Sequence, residues 1–421
     1  MKVKILVYVF LFLSLSFMGK GQTAEEDRIT DLQQRLERLE KDMANKKGLS
    51  VSGYIQGQYQ WGEESASLKV GGANEKADGS FNRIGIRRGR IKVGYTKGIV
   101  SGVFQIDMTE KGVGVKDAFL AVKDPWFRTS QFKGGIMDQP FGYEIGYSSS
   151  TRESPERSTV FQLLFPEARD LGVMLSLQPA KTSPLSFLKL DAGLFSGNGV
   201  KQDVDSRKDF IAHLSAQQYI TMNLSVGLGI SLYEGSVYQG TGIVYKMEDG
   251  GFVLDDNETN IGKYARREYF GFDAQLRLLT TFGTTSLHGE YLWGQQPGTA
   301  GSSKSPNSSS LPAADTYIRP FNGWYLMLTQ EIGQSPFSLV LKYDVYDPNT
   351  KVSGDRVGAN HTGKTDLEQQ TWGLGGLWNV TSALRLQAYY EINRNETTSQ
   401  LERWKEDVAN DVFTLRLQYK F

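Results

Sequence analysis

The sequence predicts an all-β protein: a 16-stranded antiparallel transmembrane β-barrel with long outer loops and short periplasmic turns, behind a short N-terminal helix or coiled coil. Three observations predict it. Segments with period-two alternation recur at the length a tilted strand needs to cross a bilayer. Long and short connections alternate between them. The composition is rich in glycine and aromatics yet poor in aliphatic side chains.

The 421 residues include 46 Gly, 12 Pro and no Cys, with 12% aromatic and 39% hydrophobic residues. Lys+Arg 47 balance Asp+Glu 47, which excludes a protein built to coat nucleic acid. The absence of cysteine excludes a disulfide framework, a thiolate metal site and a lipidated cysteine.

Met1 to Gln22 reads as a secretory signal, with Lys2 and Lys4 before an apolar stretch and small residues Gly19 and Gly21 near its end. Residues 23–48 switch to helical spacing: Ile29, Leu32, Leu36, Leu39 and Met43 form an a/d seam. Only about two heptads exist, so the segment reads either as a solvated amphipathic spacer or as a small parallel coil that works when the next domain brings copies together. Residues 49–421 form the third region, the barrel domain.

Strands are expected near 51–61, 83–95, 99–109, 114–122, 129–137, 170–178, 186–196, 208–218, 223–234, 265–279, 284–294, 321–332, 336–346, 368–379, 382–393 and 411–421. The connections 62–82, 138–169, 197–207, 235–264, 295–320, 347–367 and 394–410 are long, and those between them are tight. In hydrocarbon every backbone N–H and C=O needs a partner, so such a sheet must close. Its outward stripe must be apolar, because a basic side chain facing lipid at mid-depth costs about 2–4 kcal/mol. Leu224, Val226, Leu228, Ile230 and Leu232 meet that demand, as do Leu384, Leu386, Ala388 and Tyr390. Trp61, Trp126, Trp293, Trp378, Tyr419 and Phe421 fall near strand ends, where an aromatic girdle sits.

By parity the other face collects Arg88, Arg90, Lys92, Lys133, Lys189, Arg277, Lys342, Arg385, Arg416 and Lys420. Asp107, Asp191, Asp273, Glu290, Glu331, Asp344 and Glu391 share it. Burying so many charges dry costs several kcal/mol per ion, so water is expected to reach them through a channel. Arg88, Arg90 and Lys92 on one strand suggest a basic ladder that steers anions. The connection after the fifth strand carries Arg152, Arg157 and Arg169 beside Glu144, Glu153, Glu156 and Glu167. It reads as a loop folded inward as a mixed-charge constriction, with a surface lid as the competing reading.

No catalytic motif is present: His213, His288 and His361 are scattered, and neither a cofactor nor a metal is implied. Asp344, Asp347 and Asp355 beside DPNT suit a capped turn better than a Ca²⁺ site.

Several stretches resemble the phosphate-selective porin O/P family of Gram-negative outer membranes: RIGIRRGRIKVGY (83–95), VKDAFLAVK (115–123), GGIMDQPFGYE (134–144), ESPERSTVFQLLFPEARDLGV (153–173), LFSGNG (194–199), LKYDVYDPNT (341–350) and LRLQYKF (415–421). The resemblance implies a homotrimeric sixteen-stranded porin in outer-membrane lipid, with a basic lumen passing anions. It also implies that the terminal Phe421 is the signal read by the barrel-assembly machinery. Carried over by position, the ladder falls on Arg88 and Arg90 and the constriction on Arg152, Arg157 and Arg169. The acids of that loop offset its arginines, and 235–264 offers only Lys246 and Lys263. The expected function is therefore passive diffusion of small hydrophilic solutes with a weak anion preference, possible phosphate preference included. The alternative is a structural barrel with a closed lumen and a cell-wall or surface role.

Overall fold

The computed structural model describes residues 48–72 and 79–421. The expected leader, 1–22, and all but the last residue of the expected coil, 23–48, lie outside the described residues. The strands are β1 (Leu49–Glu63), β2 (Ser80–Lys97), β3 (Val100–Thr109), β4 (Gly112–Lys123), β5 (Gln131–Asp138), β6 (Arg169–Leu177), β7 (Leu188–Phe195), β8 (Asp209–Tyr219) and β9 (Leu224–Tyr238). They continue as β10 (Ile243–Glu248), β11 (Gly251–Asp256), β12 (Tyr264–Thr280), β13 (Gly283–Gly298), β14 (Thr316–Glu331), β15 (Phe337–Asp347), β16 (Gln369–Asn379), β17 (Leu384–Asn395) and β18 (Val412–Lys420). One short helix, α1 (Thr159–Leu164), lies between β5 and β6.

Antiparallel pairing runs around the whole wall. β9 pairs directly with β12, so β10 and β11 stand outside the wall and sixteen strands form it. β18 returns to β1 from Tyr54↔Lys420 to Gly62↔Val412. At the seam Gly53 and Phe421 exchange backbone hydrogen bonds of 2.9 and 3.0 Å. No open edge remains, as a bilayer demands. Every one of the sixteen expected strands overlaps an observed wall strand.

The alternation follows the demand of lipid outside. Along β9, Ser225, Gly227, Gly229, Ser231 and Tyr233 are buried, whereas Leu224, Val226, Leu228, Ile230 and Leu232 are half-buried or exposed. The connection 235–264, expected as plain loop, contains the β10–β11 hairpin, turning at Gly250 with φ +93. The hairpin reaches past β12 and β13 and pairs in parallel with β14, Val244↔Thr316 to Lys246↔Ile318. Tyr245 stacks on Tyr317 at 4.2 Å, and Arg319 lies over both Tyr317 and Phe252. The hairpin thereby roofs the β9–β14 side of the long-loop end.

The long connection 139–168 folds into the barrel. Phe141, Val160, Phe161 and Phe165 carry almost no exposure, packed among Tyr233, Tyr269, Phe321, Tyr325, Tyr346 and Tyr389 of the wall. Phe165 meets Tyr269 edge-on at 5.7 Å and Phe161 meets Tyr325 at 6.4 Å. A six-residue helix is not stable alone. Burying each of these side chains contributes roughly 1.5–3 kcal/mol, which holds α1 in place. The expectation of a flooded bore is therefore corrected in part: where α1 meets β9, β12, β14, β15 and β17 the lumen is occupied by a buried aromatic core, because the loop brings its own apolar residues.

Candidate permeation path

The inward loop is pinned from both sides by charges that the parity reading assigned to a wet wall. The Glu156 carboxylate accepts from Arg87 Nε and Nη2 at 2.8 Å, Arg88 Nη2 at 2.8 Å and Arg416 Nη2 at 3.1 Å. Gln56 and Gln58 of β1 brace Arg88 and Arg416 at 3.0 and 2.8 Å. Arg416 also donates to the Pro155 carbonyl, and Arg385 to those of Thr151 and Arg152. Burial opposes ionisation of Glu156, yet Arg87, Arg88 and Arg416 hold its carboxyl well below the usual range.

On the opposite side Glu290 of β13 accepts the backbone N–H groups of Tyr143 and Glu144 at 2.8 and 2.6 Å. Lys342 lies 3.7 Å from Glu144 and 3.5 Å from Asp344, whose carboxylate accepts Thr159 N–H. Lone buried charges would be costly; Glu144 and Asp344 are tolerable because Lys342 pairs with both, and Glu290 is satisfied by hydrogen bonds from two backbone N–H groups and Tyr325 Oη.

Two open spaces lie against β1–β5 and β18, and a third lies against β5, β7–β9, β12 and β13. A cavity of about 550 Å³ at the long-loop end is lined by Lys69, Arg87, Arg88, Lys111 and Lys116. One of about 300 Å³ toward the short-turn end is lined by Tyr54, Lys92, Asp117, Arg169 and Lys420. Arg90 and Arg157 line both cavities, so the path pinches between them. Across the two, ten Lys and Arg side chains face five carboxylates. Arg90 is neutralised by Asp107 at 2.8 Å, and Arg169 by Asp117 at 2.9 Å and by Asp138. Arg157 and Lys116 are different. Arg157 donates to the Glu144 and Ile145 carbonyls at 3.1 and 3.0 Å, and Lys116 to the Glu167 carbonyl at 2.5 Å. Neither has an acidic partner among the described residues. Burial, then Arg152 and Arg169, push the Arg157 guanidinium down to about 9.

The predicted residues thus separate. Arg88, Arg385, Arg416 and Lys342 anchor the loop, with Glu156 at the centre of the latch. Arg90 and Arg157 form the pinch, with Lys92 and Arg169 below it. Lys133 and Arg277 line a third cavity, of about 700 Å³, toward the short-turn end. Glu153 accepts Tyr147 Oη–H at 2.7 Å, and Arg152 is buried with no hydrogen-bond partner for its guanidinium nitrogens among the described residues. Phe421 closes the seam.

Parity missed Arg87 and Lys116, and the pleat explains both. Arg87 and Arg88 are consecutive yet reach the same lumenal carboxylate, which a regular strand forbids. Lys116 is the extra residue of a bulge, since Gln105 pairs with Asp117 and Ile106 with Val115. The adjacent basic pair in RRGR was the available signal for the first.

The wall and the inward loop define an outer-membrane porin fold. The chain is similar to OprB of Pseudomonas putida (11% identity, 89% of this chain and 95% of that one, TM-score 0.56). It is likewise similar to OmpF of Salmonella typhi (11%, 89% and 97%, TM-score 0.54) and to the trimer form of Vibrio cholerae OmpT (12%, 89% and 99%, TM-score 0.50). No family model and no curated protein matches the sequence.

Proposed function

We propose that this protein is a porin of a Gram-negative outer membrane, a homotrimeric passive channel for small hydrophilic solutes with a weak preference for anions. The observation that carries this reading is the basic lining of the two cavities, where Arg157 at the pinch and Lys116 in the long-loop-end cavity have no ion-pair partner among the described residues. A fixed positive excess in a narrow, low-dielectric passage raises the local anion concentration. Strict phosphate selectivity is not favoured, because Arg87, Arg88 and Arg416 are committed to Glu156. Outer-membrane lipid around the apolar stripe and recognition of Phe421 by assembly machinery belong to the same reading.

Planar-bilayer recording in a KCl gradient tests it. The reversal potential should have anionic sign, and the double variant K116Q/R157Q should move it toward zero. A cationic sign rejects the preference. Folded trimers without conductance would favour the second reading, a closed structural barrel, which the dry core and the hairpin roof support.

A further inference from the structure

The β10–β11 hairpin leaves one sheet edge open. β10 pairs with β14 on one side and β11 on the other, whereas β11 pairs only with β10 among the described residues. The tight turn sets Glu248 opposite Gly251 and fixes the alternation of the ladder from there. Gly251, Val253 and Asp255 bond to β10, so the N–H and C=O of Phe252, Leu254 and Asp256 point away from it. The bond from Asn257 N–H to the Gly242 carbonyl, at 3.1 Å, keeps the same alternation. Phe252 N–H is taken by the Asn360 carbonyl at 2.9 Å. Leu254 and Asp256 have no backbone hydrogen-bond partner on that side among the described residues.

The surroundings of this edge select what it accepts. Val253 and Leu254 are 48% and 46% exposed, one on each face of the strand. Residues 243–263 carry five acidic side chains, Glu248, Asp249, Asp255, Asp256 and Glu258, against Lys246 and Lys263. Lys246 neutralises Asp255 at 2.6 Å and Lys351 neutralises Asp249 at 3.1 Å. Glu248, Asp256 and Glu258 have no ion-pair partner among the described residues. A groove of about 650 Å³, lined by Glu248, Asp249, Phe252, Val253 and His361, opens at the turn end of the edge. A second copy of the edge is a poor occupant, because two β11 strands side by side would set these acids against one another. A strand of opposite charge meets no such penalty.

We propose that the open edge of β11 is a docking site for an extended, basic polypeptide segment of another protein that reaches the long-loop end. The segment adds as a further strand: its backbone pairs with Leu254 and Asp256, and its apolar side chains rest on Val253 and Leu254. Its Lys or Arg side chains meet Glu248, Asp256 and Glu258. An anionic polysaccharide is unsuited, since the same acids repel it and it has no peptide backbone to complete the ladder. Because the hairpin stands outside the wall, the site depends neither on conductance nor on the anion preference.

The test is fluorescence anisotropy of a labelled KVKVKV peptide, as long as β11, with the full chain in detergent. Saturable binding is expected, with none for EVEVEV. KVKVKV methylated at each backbone nitrogen keeps its charges but loses its ladder donors, and should bind about tenfold or more weakly, a factor equal to about 1.4 kcal/mol. Leu254→Pro removes the outward N–H and should weaken binding by a similar factor, whereas Leu254→Ala keeps that donor and should weaken it less. Deleting 243–256 joins Gly242 to Asn257, which are already hydrogen-bonded, and should abolish binding. The thermal transition of each variant checks that the barrel is folded. Absence of saturable KVKVKV binding overturns the proposal, as does equal binding of EVEVEV or of the methylated peptide. Binding that survives the deletion in a folded barrel, or equal affinity in the two Leu254 variants, overturns it too. Self-association of the full chain that the deletion abolishes would assign the edge to a second copy instead.

Discussion

Arg88 of β2 and Glu156 of the inward loop form an ion pair at 2.8 Å, with side chains only 5% and 7% exposed. The pair joins the wall to the constriction, and Arg87 and Arg416 reinforce it. Glu156→Gln should leave three guanidinium groups around a neutral amide. Removing one partner of a buried pair costs about 3–5 kcal/mol. The expected outcome is a lower melting transition and a larger, noisier single-channel conductance; an unchanged conductance would show that the aromatic core alone holds the loop.

The same latch sets a pH expectation. The folded Glu156 carboxyl titrates well below its ordinary value, about 4.3 for a free glutamate. Its stabilisation is therefore complete above that unfolded value and is lost only as pH falls through the depressed folded one. Conductance should stay flat from neutral pH down to about 5 and rise only in stronger acid. A rise beginning near neutrality would point to another titrating group.

The opposite dock turns on Gly142. With φ +62, its backbone is in the left-handed region, and a Cβ there would meet Glu290 Oε2 at 2.1 Å. Glu290 is also the acceptor for Tyr143 and Glu144 N–H, so displacing it frees the start of the loop. Gly142→Ala should destabilise by roughly 1–3 kcal/mol, through strain at that φ and the broken acceptor, and should widen the current distribution. Calorimetric melting and single-channel histograms check this together.

The wall was legible because lipid imposes a period of two on every strand, and β9 shows it residue by residue. The interior was less so. Val160, Phe161, Leu164 and Phe165 are an apolar run inside a connection expected to be a mixed-charge constriction, and that run supplies the loop's share of the buried aromatic core. Parity also assumes an unbroken pleat, which fails at Arg87–Arg88 and at Lys116. Sequence could not show that Arg88, Lys342 and Arg416 would each meet a carboxylate of the inward loop, Arg88 and Glu156 being 68 residues apart.

Arg157 offers a second titration. Burial brings its guanidinium down to about 9, so it is charged at neutral pH and discharges as pH rises through that value. Anion preference should fall between roughly pH 8 and 10 if Arg157 carries it, because ordinary arginines remain charged there. Reversal potentials across that range supply the check, and R157Q should flatten the profile. A fall that persists in R157Q would assign the effect to Lys116 or another lysine.

Barrel closure rests on close approach at the seam. A Cβ on Gly53 would meet the Arg90 carbonyl at 2.4 Å and the Phe421 ring at 2.5 Å, whereas one on Gly57 of the same strand meets nothing within 4 Å. Gly53→Val should therefore obstruct the Gly53–Phe421 hydrogen bonds that join the first and last strands, leaving polar edges unpaired in hydrocarbon. Gly57→Val should close normally. The folded fraction after refolding into detergent, read as the compact form that unfolds on heating, should drop several-fold for the first variant and stay near wild type for the second. Equal folding by both would show that the seam tolerates displacement of Phe421, and would remove the steric basis for a glycine at that position.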